Sequence, residues 1–167
     1  MKPIAGLDAV WACFSYAYPV SGLIHQGKYR HDTGVLRILG ALIAEFADVP
    51  DRDADLLVPV PLAPERLRQR GFNQAHELCR PIARVRGLEI AERLVDRRSG
   101  DLPQVGLPAS IRRRNVRNAF RVQGRIEGAS VVIMDDVVTT GATASSLAMS
   151  LRAAGAARVS FWACARA

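Results

Sequence analysis

Val131 to Met134 is an unbroken run of four apolar residues with a β-branched bias, and it constrains the fold more than any other stretch of the chain. A strand that is apolar on both sides must be covered on both, as central strands of helix-wrapped parallel sheets are. Ala142 to Ala154, with apolar residues at helical spacing, predicts the helix that follows. Other segments repeat the pattern. Asp55 to Val60 predicts a strand stopped by Pro59 and Pro61, and Arg158 to Cys164 a last strand after a helix stop at Gly155. Leu94-Val95 and Ala119 to Val122 predict shorter ones. Thr33 to Ala47 predicts an amphipathic helix behind a Thr cap, with Leu36, Leu39, Ile43 and Phe46 at helical steps. Asn73 to Val85 predicts another, which Pro81 interrupts or restarts. Strands alternating with helices predict an α/β fold, a mostly parallel central sheet flanked by helices.

The turn between Met134 and the next helix carries Asp135, Asp136, Thr139, Thr140, Gly141, Ala142 and Thr143. Amide N–H groups at a helix N-terminus have no acceptor within the helix, so a phosphate seated there satisfies them and meets the positive end of the dipole. Gly141 permits close backbone approach, and the threonine hydroxyls add donors. Two carboxylates beside a phosphate would repel it unless they serve another part of the same ligand, such as vicinal hydroxyls. A sugar phosphate meets both conditions. Capping by Thr139 or Thr140 would be worth only about 1 kcal/mol and leaves the acids unexplained, whereas open α/β sheets place ligands at such strand ends. No Gly-x-x-x-x-Gly-Lys loop followed by Ser or Thr occurs, which excludes an ATP-driven motor of that type.

The 167 residues, 49% apolar and 23% charged, fit one soluble globular domain over 1–167, with residues 1–30 as an N-terminal segment. Neither a membrane span nor a signal peptide is visible, so a cytoplasmic location is expected. Cys13, Cys79 and Cys164 are far apart and odd in number, which suits reduced, buried thiols. Charge is uneven: Pro64 to Arg125 holds 15 Arg and 6 acids, against 8 basic and 10 acidic residues elsewhere. Within this basic middle, residues 97–118 have no usable period and carry six arginines, a flexible loop of functional length.

A second anion site is expected where the strand ending at Val60 meets Pro61, Leu62, Arg66, Arg68, Arg70 and Gly71. The arginines alternate with other residues, and Gly71 would let backbone amides reach a ligand. A few charge-assisted bonds of about 1.5–3 kcal/mol each would hold a pyrophosphate. His76 reads as a surface or helix residue.

The thirteen residues Val131 to Thr143 resemble the phosphoribosyl-pyrophosphate motif of type I phosphoribosyltransferases: a hydrophobic run, two acids, two further residues, then Thr-Thr-Gly-x-Thr. The resemblance implies that Asp135 and Asp136 hold the ribose 2′ and 3′ hydroxyls. It also implies that Thr139, Thr140, Gly141, Ala142 and Thr143 wrap the 5′-phosphate, with Mg2+ held mainly by the ligand. Thr139 stands where purine-salvage members carry Asp, which argues against hypoxanthine or guanine as acceptor.

Val58 to Pro61, Arg66, Arg70 to Ala75, Gln104, Arg112, Arg114 to Val116 and Ala119-Phe120 together resemble the ComF family of competence-associated proteins, as do Tyr18, Leu23, Ile24, Lys28 and Tyr29. Members usually begin with a cysteine-rich zinc ribbon; none is seen in this sequence, so no zinc is expected. The resemblance implies a type I phosphoribosyltransferase-like fold. Its pyrophosphate subsite would be formed by Pro61, Leu62, Arg66, Arg70 and Gly71, and its closing loop would carry Gln104, Arg112 and Asn115. Two functions remain open. One is transfer of a phosphoribosyl group to an acceptor with release of pyrophosphate; the other is a non-catalytic competence factor binding single-stranded DNA or a protein of the competence machinery. A sensor of phosphoribosyl pyrophosphate needs only the pocket. Aromatics are 6% of the chain, and the basic middle offers only Phe72 and Phe120 for stacking on bases. A homo-oligomer is compatible with each.

Overall fold

The computed structural model describes residues 4–46, 48–51, 53–97 and 119–167. The elements run β1 (Ala9–Ser15), α1 (Val20–Tyr29), α2 (Thr33–Phe46), β2 (Leu56–Pro59), α3 (Pro64–Arg70), α4 (Gln74–Arg86), β3 (Glu89–Ile90), β4 (Val95–Arg97), β5 (Phe120–Val122), β6 (Ser130–Val138), α5 (Ala142–Ala153) and β7 (Arg158–Arg166). Five strands form one sheet in the order β1-β7-β6-β2-β3, parallel at each pairing, and β4 and β5 pair as a separate antiparallel ribbon. The α/β architecture is the one the alternation predicts.

Val131 to Met134 are fully buried, as a doubly covered strand requires, and successive side chains enter different cores. Val131 and Ile133 pack with Leu147, Ala148 and Leu151 of α5 and with Val95 and Phe120 of the ribbon. Val132 and Met134 pack with Ile24 of α1, Leu39 and Ile43 of α2, and Leu78 and Ile82 of α4. On that second side α2 and α4 come very close: a Cβ on Gly40 would lie 2.4 Å from the Leu78 carbonyl oxygen and 2.7 Å from Pro81 Cγ. Pro81 sits inside an unbroken α4 rather than interrupting it.

The structure corrects several expectations. β1, α1, α3 and β3 were not foreseen. The strand read as Val131 to Met134 continues to Val138, so both acids lie within β6 rather than beyond its end. The cap of α2 is Asp32, whose Oδ1 accepts from the Val35 amide at 3.2 Å, and not Thr33. Cys79 and Cys164 are buried, while Cys13, on the edge strand, is only half-buried. No helix among the described residues is long and apolar enough to cross a membrane.

Candidate functional site

β2 and β6 are adjacent in the sheet, yet the chain leaves β2 toward β3 on one side and leaves β6 toward β7 on the other. Such a reversal opens a crevice beyond the carboxyl ends of the two strands, the place where open α/β sheets bind ligands. The Pro61-Leu62 turn after β2 and the threonine loop after β6 flank it. The Val60 amide donates to the Met134 carbonyl at 2.9 Å, so Val60 stands level with Asp135 and the Pro61-Leu62 turn leaves the sheet just beyond it. Asn73 ties the far end of that turn back, donating through Nδ2 to the Val60 carbonyl at 3.0 Å.

On the β6 side, Asp135, Thr139, Thr140, Gly141, Ala142 and Thr143 line one small concavity of about 50 Å³. Gly141 takes a left-handed conformation, φ 76°, and its missing Cβ matters, since one would fall 2.3 Å from Ile4 Cδ1. The Ala142 amide makes only a long 3.4 Å contact with Thr140 Oγ1, and α5 has no side-chain N-cap bond. Amides of its first turn therefore face the concavity's end of the helix, where an anion is favoured.

The acids behave differently from one another. Asp135 is only half-buried as a residue, but protein encloses its carboxyl, which accepts from the Asp136 amide at 2.8 Å. Burial first, and the Asp136 carboxylate second, push its carboxyl up from 3.8 to about 8, against the Asp136 amide bond and the Lys28 ammonium. Asp136 is buried and pairs with Lys28, whose Nζ lies 2.7 Å from Oδ2. That oxygen receives no hydrogen bond, so the ammonium sits close but off the bonding direction. Lys28 is a residue that reasoning from the motif missed; only the family resemblance of the Lys28-Tyr29 segment pointed to it. Buried Cys164 lies near the same charges, and burial, ahead of Cys13 and Asp136, pushes its thiol up to about 12.

The arginine turn is where expectation and geometry part. Arg66, Arg68 and Arg70 lie on α3, so their alternation does not aim them together: positions two apart on a helix diverge, and only Arg66 and Arg70 share a face. Arg68 reaches Glu65 at 3.8 Å, and Arg70 donates to Gln74 Oε1 at 3.0 Å with its guanidinium 5.4 Å from the Tyr29 ring centroid. Gly71 closes α3, and its amide already donates to the Leu67 carbonyl at 2.7 Å, so it has no N–H to offer a ligand. Pro61 and Leu62 instead line a larger cleft of about 380 Å³ with Asn73, His76, Glu92 and Asp96. In it His76 Nε2 stands 2.9 Å from Glu92 Oε1, a contact across the turn that no spacing announces. Gln104, Arg112 and Asn115 lie outside the described residues. Among the described residues no group of three or more His, Cys, Asp or Glu side chains is placed to hold a metal.

Sheet order, switch-point crevice and acid-threonine loop define a protein of the type I phosphoribosyltransferase-like fold. A solved structure of glutamine phosphoribosylpyrophosphate amidotransferase from B. subtilis superposes with a TM-score of 0.54 at 21% identity, over 83% of this chain and 27% of that one. In sequence the chain is 38% identical over 156 residues to the DNA utilization protein YhgH of Escherichia coli K12, covering 88% of this chain and 67% of YhgH. It is 31% identical over 160 residues to competence protein F of Haemophilus influenzae, covering 91% and 70% of the two chains. No protein-family model matches it. The chain belongs to the ComF family of competence proteins.

Proposed function

We propose that this protein binds phosphoribosyl pyrophosphate with Mg2+ and transfers the phosphoribosyl group to an acceptor, releasing pyrophosphate. The observation that carries the reading is the crevice at the β2–β6 switch point, where an acid pair, a threonine-rich loop and the start of α5 follow one strand. The 5′-phosphate would take the amides of Thr139 to Thr143 and their hydroxyls, and the carboxylates would accept from the ribose hydroxyls. As the bond from C1 to pyrophosphate weakens, positive charge grows on the sugar and negative charge on the leaving group. The acid pair then lies beside the developing cation, whose charge would draw the proton off Asp135, and the guanidinium of Arg66, exposed on α3, is free to swing toward the anion. Mg2+ would come with the ligand's own oxygens and screen the pyrophosphate charge. A cytoplasmic location goes with this reading.

Calorimetry with phosphoribosyl pyrophosphate and Mg2+ tests it, on the wild type and on Asp135→Ala/Asp136→Ala. Binding by the wild type and at least tenfold loss in the variant are expected. A folded wild type that does not bind sinks the proposal. Binding without pyrophosphate release across a panel of amines and bases would reduce the protein to a sensor.

A second reading has its own observation. The tertiary structure gathers aromatics that the sequence scatters: Arg70 lies over Tyr29, the Tyr29 and His25 ring centroids are 4.5 Å apart, and His31 donates to the Arg70 carbonyl at 3.0 Å while meeting the Phe72 ring edge-on. Tyr18 is 90% exposed nearby in sequence. Stacking faces beside guanidinium groups suit single-stranded nucleic acid, and relatives carry the names DNA utilization protein and competence protein. Affinity for an oligothymidine should fall steeply with salt and at least fivefold with Tyr29→Ala or Arg70→Ala. Indifference to both would count against DNA, leaving a protein of the competence machinery as the partner to seek.

A further inference from the structure

We infer that Lys28 is an internal occupant of the sugar-binding acids, a positioning residue whose ammonium keeps Asp136 engaged until the diol of a ribose displaces it. The inference rests on the phosphoribosyl reading above and adds a competition that the motif does not contain. The side chains of Lys28 and Asp136 are 19% and 6% exposed, so both charges have lost most of their water. Buried pairs recover that loss only when good geometry and further hydrogen bonds satisfy the remaining lone pairs. Here the recovery is incomplete, because Oδ2 has an ammonium at 2.7 Å and no hydrogen bond. Such an oxygen is an acceptor that a correctly aligned O–H would serve better.

The shape of the crevice points the same way. Asp135 lines the concavity of the threonine loop and Asp136 does not. Asp136 instead faces the Lys28 ammonium, 2.7 Å from its Oδ2. A sugar that engages both acids must therefore open the Asp136 side, where Lys28 is lodged. Lys28 stands in the last turn of α1, next to Tyr29, which lies under Arg70. Displacing its ammonium would loosen that turn rather than tighten it.

The signature is a gain. A site competent only when Lys28 is displaced has its apparent affinity reduced by the competent fraction, and removing the ammonium lifts that reduction. Isothermal titration with ribose 5-phosphate would compare wild type, Lys28→Met and Lys28→Arg, all shown to be folded by circular dichroism. Lys28→Met should bind about tenfold more tightly, and Lys28→Arg, which keeps the cation, no more tightly than wild type. A structural role for Lys28 would give the opposite, a looser site on neutralisation. Equal or weaker binding by Lys28→Met overturns the inference and leaves the phosphoribosyl reading standing. Silence from wild type and Lys28→Met alike, with phosphoribosyl pyrophosphate and Mg2+ as well, overturns both. If Lys28→Met does not fold, hydrogen exchange on the wild type decides. Amides of the last turn of α1 should exchange faster with ribose 5-phosphate bound, and unchanged or slower exchange overturns the inference.

Discussion

At the scale of single residues, Asp135 shows what an enclosed acid costs a fold. Its carboxyl stays protonated in the folded chain up to about pH 8, while the unfolded chain loses that proton near pH 3.9 on the usual scale, about four units lower. Between those values the unfolded state holds fewer protons, so Asp135 makes stability fall as pH rises through the window. Asp135→Asn should remove that slope and be more stable than wild type at pH 8 by at least about 1 kcal/mol, with little difference at pH 4. Urea melts at the two pH values check this; parallel pH slopes for both proteins would contradict it. Gly141 carries the opposite expectation. Its φ of 76° costs a side chain roughly 1–2 kcal/mol, and an added methyl would strike Ile4. Gly141→Ala should therefore lower the urea midpoint and weaken binding of phosphoribosyl pyrophosphate together. That Asp135 and the threonine loop line one concavity was legible because hydroxyls, glycine and acids follow one another in the chain. The Lys28–Asp136 contact was not, since it exists only once α1 folds back on β6, and no spacing records a contact between residues more than a hundred positions apart.

At the scale of elements, legibility followed burial pattern. β6, buried along most of its length, stood out as an apolar run, and α2 stood out by its helical spacing. β1 is longer than β2 and β3 together but did not read as a strand: its residues are mostly half-buried, and its pairing partner is β7, at the far end of the chain. α3 hid behind Pro61 and Pro64, which read as turn; yet Pro64 at the first helical position is a place where the missing N–H does no harm. The error had a consequence, because a helix rather than a turn changes which arginines can converge. Packing between α2 and α4 offers a test that bears on the fold and leaves the crevice alone. Gly40 has no room for a methyl against the Leu78 carbonyl, and backbone cannot step aside as a side chain can. Gly40→Ala should cost about 1–3 kcal/mol as overpacking does, read as a lower thermal midpoint. An unchanged midpoint would mean that α2 and α4 separate freely.

For the whole molecule, the decisive arrangement is that one crevice is walled by loops from separate parts of the chain. The Pro61-Leu62 turn follows β2, the threonine loop follows β6, and Lys28 comes from α1. A ligand spanning them joins segments that the unfolded chain leaves apart, so it binds only the native state and stabilises it by mass action. At a hundred times its dissociation constant, phosphoribosyl pyrophosphate with Mg2+ should contribute about 2.7 kcal/mol, a rise in thermal midpoint of roughly 5–10 °C for a chain of this size. Asp135→Ala/Asp136→Ala should show almost none of that rise, whatever its own midpoint. An oligothymidine held by Tyr29 and Arg70 touches α1 and α3 without entering the crevice, so its stabilisation should survive in the double variant. The two ligands thus separate the readings within one set of melts: a shift from the sugar phosphate that depends on the acids marks the crevice as its site, and a shift from DNA alone makes the aromatic strip the working surface of this fold.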